Sequence, residues 1–143
     1  MKRAEGFTLI ELMVVMVILG ILAAIIAPRI IGRTDEAKVT EAKIQIKNFE
    51  TALKLYKLDG GLYPSTEQGL DALITKPSIG VMPKKWSKGG YLEQTKISLD
   101  PWGNDYLYIS PGLHGDYDII SYGEDGIRGG EEFAKDIENW NID

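Results

Sequence analysis

The densest potential chemistry lies near the end of the chain, in a glycine-punctuated run of oxygen donors. Tyr122-Gly123-Glu124-Asp125-Gly126 is followed by the carboxylates Glu131, Glu132 and Asp136. Carboxylates and backbone carbonyls on such a loop are ligands for hard cations, and Ca2+ takes about six to eight oxygens of both kinds. The D-x-D-x-D-G spacing of an EF-hand is missing. On its residues alone, the loop either stays solvated or closes round a cation. The one histidine, His114, sits in a Gly-rich turn near Asp116 and Asp118. No nucleophile motif accompanies it, so a structural or surface role fits better than catalysis. Trp86, Trp102 and Trp140 read as core or loop anchors rather than a ligand-stacking platform. The chain is read as a non-enzyme.

Composition narrows the remaining chemistry. There is no cysteine, which excludes disulfides and thiolate sites, and a single histidine excludes a His-rich zinc site. A formal net charge of −5 supplies no basic footprint for nucleic acid. The 143 residues suit one domain. The apolar N-terminal run cannot share a core with the polar remainder, which leaves a head of roughly a hundred residues. Small heads gain from a staple, and without cysteine that staple would be an oxygen-ligated cation.

These donors must be positioned by elements that begin with a different kind of segment. Met1 to Gly6 is short and polar, with Lys2 and Arg3, and an apolar run extends from Leu12 to Ala27. Taken as a helix, Phe7 to Ala27 spans roughly 31 Å, enough for a bilayer core. Basic residues before it predict an N-in, C-out orientation, with the body in the periplasm or its equivalent. A secretory signal would have a shorter apolar run and small residues at its cut site, unlike Pro28-Arg29-Ile30-Ile31. A plain anchor leaves Glu11 unexplained, since a carboxylate near the end of a spanning helix is costly and points to a partner. Pro28 predicts a kink, or local melting in an assembled filament, with Gly32 weakening the helix nearby.

Beyond Pro28 the pattern becomes amphipathic. Val39, Ala42, Ile46, Phe49, Leu53 and Tyr56 step by three and four, while charges hold much of the opposite side. This predicts helix to about Leu58, ending at Asp59-Gly60-Gly61. Ser65 or Thr66 is expected to cap a short helix reaching about Thr75, and Lys76 to Gly90 reads as loop. Tyr106 to Ser110 and Tyr117 to Ser121 read as a hairpin, with a small extra strand at Tyr91-Leu92 and Ile97-Leu99.

Lys2-Arg3-Ala4-Glu5-Gly6 followed by Phe7-Thr8-Leu9-Ile10-Glu11-Leu12 resembles the class III leader and N-terminus of type IV pilins and type II secretion pseudopilins. The resemblance implies cleavage by a prepilin peptidase between Gly6 and Phe7, and N-methylation of Phe7. Gly6, lacking a side chain, suits a tight protease site. Glu11 then gains a candidate partner, the Phe7 amine of a neighbouring subunit, and the pair would set register. The bland alternative is a Glu11 that snorkels to the interface.

Tyr63-Pro64-Ser65-Thr66-Glu67-Gln68-Gly69-Leu70, Asp100-Pro101-Trp102-Gly103, Ser110-Pro111-Gly112, Gly123-Glu124-Asp125-Gly126 and Asp136-Ile137-Glu138-Asn139-Trp140 narrow the resemblance to the major pseudopilin (G-type) family of type II secretion. A type IV pilus major pilin, forming a surface fibre for adhesion or motility, is the alternative; it would usually carry a cysteine pair. The pseudopilin resemblance implies Ca2+ held by the Tyr122 carbonyl, Asp125 and Asp136. The Ile127–Lys135 segment is longer than in many relatives, which leaves open which of Glu131, Glu132 and Asp136 closes the site.

The expected architecture is α+β and type IV pilin-like: a long N-terminal helix, half transmembrane and half amphipathic, packed on a small antiparallel sheet. Residues 1–6 form the leader, 7–29 the transmembrane and assembly helix, and 30–143 the periplasmic head with its calcium loop. By resemblance, the subunit waits in the inner membrane as a single-pass protein and enters a helical homopolymer. Its partners would be prepilin peptidase, minor pseudopilins and an inner-membrane assembly platform. The filament would drive export of folded proteins across the outer membrane, with Phe7, Glu11 and Pro28 serving assembly.

Overall fold

The computed structural model describes residues 7–142, with the backbone alone for residues 26–33. One helix, α1, runs from Leu9 to Gly60, and the chain divides into two compact units, Met1–Glu36 and Ala37–Asp143. In the first unit the described side chains from Phe7 to Ile25 are all exposed, most of them large and apolar. The helix carries through Pro28 and Gly32. Among the described residues, no helix is long and apolar enough to cross a membrane.

In the second unit, the amphipathic stripe is the core. Ala42, Ile46, Phe49, Leu53 and Tyr56 are buried as their spacing predicts, Val39 is partly buried, and Ala52 joins them. Full burial of side chains such as Ile46 or Leu53 contributes about 1.5–3 kcal/mol each. The stripe meets tyrosines from the sheet side: Phe49 packs edge-on against Tyr106 with ring centroids 5.2 Å apart. Two of these hydroxyls have partners, Tyr106 donating to Gln45 at 2.7 Å and Tyr108 to the Pro64 carbonyl at 2.8 Å. Burial pushes Tyr108 up to about 12, so it stays a neutral donor.

α1 stops where glycine lets it. The Gly61 N–H bonds the Lys57 carbonyl at 2.7 Å with Gly61 at φ 84°, a left-handed cap. The loop after the stop is anchored by side chains: Gln68 donates to the carbonyls of Ile79 and Val81 at 2.6 and 3.0 Å, and Trp86 to Ala72 at 2.9 Å.

The sheet has three antiparallel strands in the order β1 (Leu107–Ile109), β2 (Asp118–Ser121), β3 (Ile137–Glu138). Leu107 faces Ile120 and Ile109 faces Asp118; across the other edge, Ser121 faces Ile137. The fold is therefore the expected long helix on a small antiparallel sheet, with three differences in detail. Tyr91-Leu92 and Ile97-Leu99 form no strand; Tyr91, Leu92 and Ile97 pack on the core from a loop. β3 takes the place beside β2, and at two residues it is too short to leave a period in the sequence.

The third difference concerns the expected helix cap. The short helix is a 3-10 turn, Leu70–Leu73, preceded by Gly69 without a side-chain cap. Ser65 instead closes the turn before it: its N–H bonds Gln68 Oε1 at 3.0 Å, and its hydroxyl accepts the Gln68 N–H at 3.3 Å. Thr66 reaches across to Ser110, donating to its carbonyl at 3.1 Å and accepting its N–H at 2.9 Å.

Candidate functional site

One candidate site, at the start of the helix, is a capping box. Glu11 Oε2 accepts the Thr8 N–H at 2.7 Å and the Thr8 hydroxyl at 2.8 Å, and the Thr8 hydroxyl accepts the Glu11 N–H at 3.3 Å. Thr8 precedes the first helical residue and Glu11 stands three positions on, so each satisfies a donor that the helix start would otherwise leave open. Phe7, just before the cap, is 85 % exposed. The T-x-x-E signal was present in the sequence, masked by the apolar run around it. Gly6 lies outside the described residues, as does the Pro28 side chain.

A second, separate candidate site is a loop that begins where β2 ends. Gly123 is buried at positive φ, and a Cβ there would fall 2.9 Å from the Phe133 carbonyl oxygen and 3.0 Å from that of Lys135. Only glycine lets the 122–126 turn lie so close to the 133–135 segment. The Glu124 N–H completes the contact by bonding the Phe133 carbonyl at 3.1 Å.

Of the residues expected to hold a cation, Asp125 is exposed, and its Oδ1 accepts the Ile127 N–H at 3.0 Å. Asp136 is half-buried, with both oxygens on the Gly129 N–H at 3.0 and 2.9 Å. Tyr122 and Asp136 border a cavity of about 250 Å³, together with Arg128, Glu138, His114 and Trp140; Asp125 is not one of its walls. Among the described residues, no three acidic or histidine side chains come together as a metal cage. The expected donors, the carboxylates of Asp125 and Asp136 and the Tyr122 carbonyl, are nevertheless all oxygens, on segments that pack together at Gly123. That chemistry fits a hard cation and no softer metal.

Behind the loop stands a buried network that sequence reasoning missed. Asp100 is buried; its Oδ1 accepts the N–H groups of Trp102 and Asn104 at 3.1 and 2.8 Å, and its Oδ2 accepts the Ser121 hydroxyl at 2.7 Å. The Asp-Pro-Trp-Gly run signalled a turn, but nothing in it indicated that the carboxylate would turn inward toward Ser121.

The remaining polar cluster is structural. Asp118, at the start of β2, is buried and accepts N–H groups from Leu113 at 2.8 Å and His114 at 3.2 Å. Its Oδ2 also meets His114 Nδ1 at 3.0 Å, and the His114 ring stacks on Trp140 at 3.7 Å. Burial pushes the Asp118 carboxyl up, but the Leu113 N–H and the ring and N–H of His114 together hold it below its ordinary value. Gly112 makes room for this: a Cβ there would sit 2.6 Å from Asp118 Oδ1. At the neighbouring turn, Lys57 pairs with Asp116 at 3.0 Å and lies 4.4 Å over the Tyr63 ring, tying the helix end to the hairpin.

A capped apolar helix leading into a small α+β head defines a pilin-like subunit class. Comparison with known proteins narrows it. The prokaryotic N-terminal methylation motif matches residues 1–27, and the family model for type II secretion system protein G matches residues 29–140. The chain belongs to the type II secretion system protein G family, the major pseudopilins, which are structural subunits and not enzymes. It is 53 % identical over 140 residues to type II secretion system core protein G of Pseudomonas aeruginosa, covering 98 % of this chain and 97 % of that one. With the core protein G of Vibrio cholerae it shares 48 % identity over 142 residues, covering 99 % and 95 %. The crystal structure of the major pseudopilin from the type 2 secretion system of enterohaemorrhagic Escherichia coli is similar at a TM-score of 0.69 and 38 % identity, covering 78 % of this chain and 90 % of that one.

Proposed function

We propose that this major pseudopilin works as a membrane-held subunit that moves from lipid into a filament, using one apolar helix in both places. The observation that carries the reading is the exposed apolar surface from Phe7 to Ile25. A face of that size is covered by lipid, by neighbouring helices, or by each in turn. Before assembly the subunit is a single-pass inner-membrane protein with its head in the periplasm. A prepilin peptidase cuts between Gly6 and Phe7 and Phe7 is N-methylated, which fits the methylation motif over residues 1–27.

In the filament, Glu11 meets the Phe7 amine of the next subunit and sets register, while Pro28 allows the helix to loosen. The partners are copies of this chain, minor pseudopilins and the inner-membrane assembly platform, and the growing filament drives folded proteins across the outer membrane. Calcium, held by Asp125, Asp136 and the Tyr122 carbonyl, staples the loop from 122 to 136; the oxygen-only donor set supports this. A bound cation would supply charge neutralisation for two carboxylates on a cysteine-free head.

Intact-mass measurement tests the membrane stage. The chain purified from membranes of cells with prepilin peptidase is expected to begin at Phe7 and carry one methyl group. An unprocessed chain in those cells would overturn the reading.

A further inference from the structure

We propose that Asn104 and Ser121, organised by buried Asp100, are positioning residues that set how tightly the 122–136 loop holds a divalent cation. The inference rests on the calcium reading above. Gly123 is the point of control, because both of its backbone polar groups are taken by this network. The Ser121 hydroxyl accepts the Gly123 N–H at 3.3 Å while donating to Asp100 Oδ2 at 2.7 Å. The Asn104 side-chain amide donates to the Gly123 carbonyl at 3.2 Å.

Planarity of the peptide unit turns these contacts into control of a ligand. The Gly123 N–H and the Tyr122 carbonyl belong to one trans peptide, so they point in opposite directions. Holding the N–H on Ser121 therefore fixes where the Tyr122 carbonyl points. The next peptide is clamped from both sides: its carbonyl, of Gly123, is on Asn104, and its N–H, of Glu124, is on the Phe133 carbonyl at 3.1 Å. Two consecutive peptide planes, Tyr122–Gly123 and Gly123–Glu124, are thus set one peptide unit ahead of Asp125.

Asn104 is itself held. Its N–H bonds Asp100 Oδ1 at 2.8 Å, and its carbonyl accepts the Asp100 N–H at 2.8 Å. Its side chain also lies against Gly126, where a Cβ would fall 3.1 Å from Asn104 Oδ1. The same amide therefore braces both ends of the Gly123–Gly126 turn. Groups that orient metal ligands from outside the site typically change affinity by about 10–100-fold when removed.

The test uses the full-length chain in a non-ionic detergent, with Ca2+ affinity measured by isothermal titration and thermal unfolding followed in EGTA. Asn104→Ala and Ser121→Ala are compared with the unaltered chain; should buried Ser121 prove intolerant, half-buried Asn104 carries the test alone. The expected result is Ca2+ binding weakened by about 10-fold or more, with melting in EGTA changed little. Equal Ca2+ affinity in the variants overturns the positioning role while leaving the calcium reading intact. Loss of affinity that only follows a lower melting temperature in EGTA also overturns it, since that is a merely structural effect. Absence of Ca2+ binding to the unaltered chain overturns both.

Discussion

The Glu11 carboxylate accepts the backbone N–H and the hydroxyl of Thr8 at 2.7 and 2.8 Å. Glu11 is therefore engaged within its own helix before any neighbour arrives. Removal of residues 1–6 would leave this cap intact, because the Thr8 N–H belongs to the Phe7–Thr8 peptide. The cap and the proposed register contact can be separated by chemistry. Glutamine serves in a capping box but carries no charge. Glu11→Gln is expected to retain the helix start and membrane insertion yet fail to assemble; Glu11→Ala, which also loses the cap, is expected to insert in the membrane and likewise fail to assemble. Normal filaments from Glu11→Gln, seen by electron microscopy, would limit Glu11 to capping.

Much of the helix was legible because its two periods are long. The stripe from Val39 to Tyr56 repeats often enough that its burial follows from spacing alone, and Gly60-Gly61 marks the stop. The hairpin was legible too, since β-rich runs flank the turn Pro111-Gly112-Leu113-His114-Gly115. β3 was not: at two residues it is defined by its partner β2, not by its own sequence. The role of Asp100 was hidden for a related reason. Its contact with Ser121 joins positions 21 residues apart, and only the folded chain brings them together.

Calcium removal gives a direct stability prediction. A cation that binds only the folded loop stabilises by about 2.7 kcal/mol at a hundred times its dissociation constant. Addition of EGTA is expected to lower the melting temperature, and excess Ca2+ to restore it. An unchanged melting temperature in both directions would remove calcium from the account.

Asp118 predicts a pH dependence with a definite sign. Its folded value lies below its ordinary one, so its contribution is fully present above about pH 4 and is lost as pH falls through the folded value. The stability gap between the unaltered chain and Asp118→Asn should therefore be wide at neutral pH and narrow below about pH 4. Thermal melts of both proteins across that range check it, and a gap that stays constant would contradict it.

Core truncation should be costly at Ile119, which is completely buried on the middle strand. Ile119→Ala removes buried methylenes and leaves a cavity, an expected loss of about 2–5 kcal/mol. Thermal melting of the full-length chain would show this as a fall of several degrees. A change no larger than that of an exposed position such as Leu113 would contradict the packing described for the sheet.

The central claim is that this pseudopilin builds the filament that carries folded proteins outward, rather than a surface fibre for adhesion or motility. The most direct measurement is secretion by a strain lacking this chain, with and without its return on a plasmid. The account predicts exported proteins trapped in the periplasm of the deletion strain, release on return of the unaltered chain, and no release with Glu11→Ala. Normal secretion by the deletion strain, together with loss of surface fibres, would contradict it.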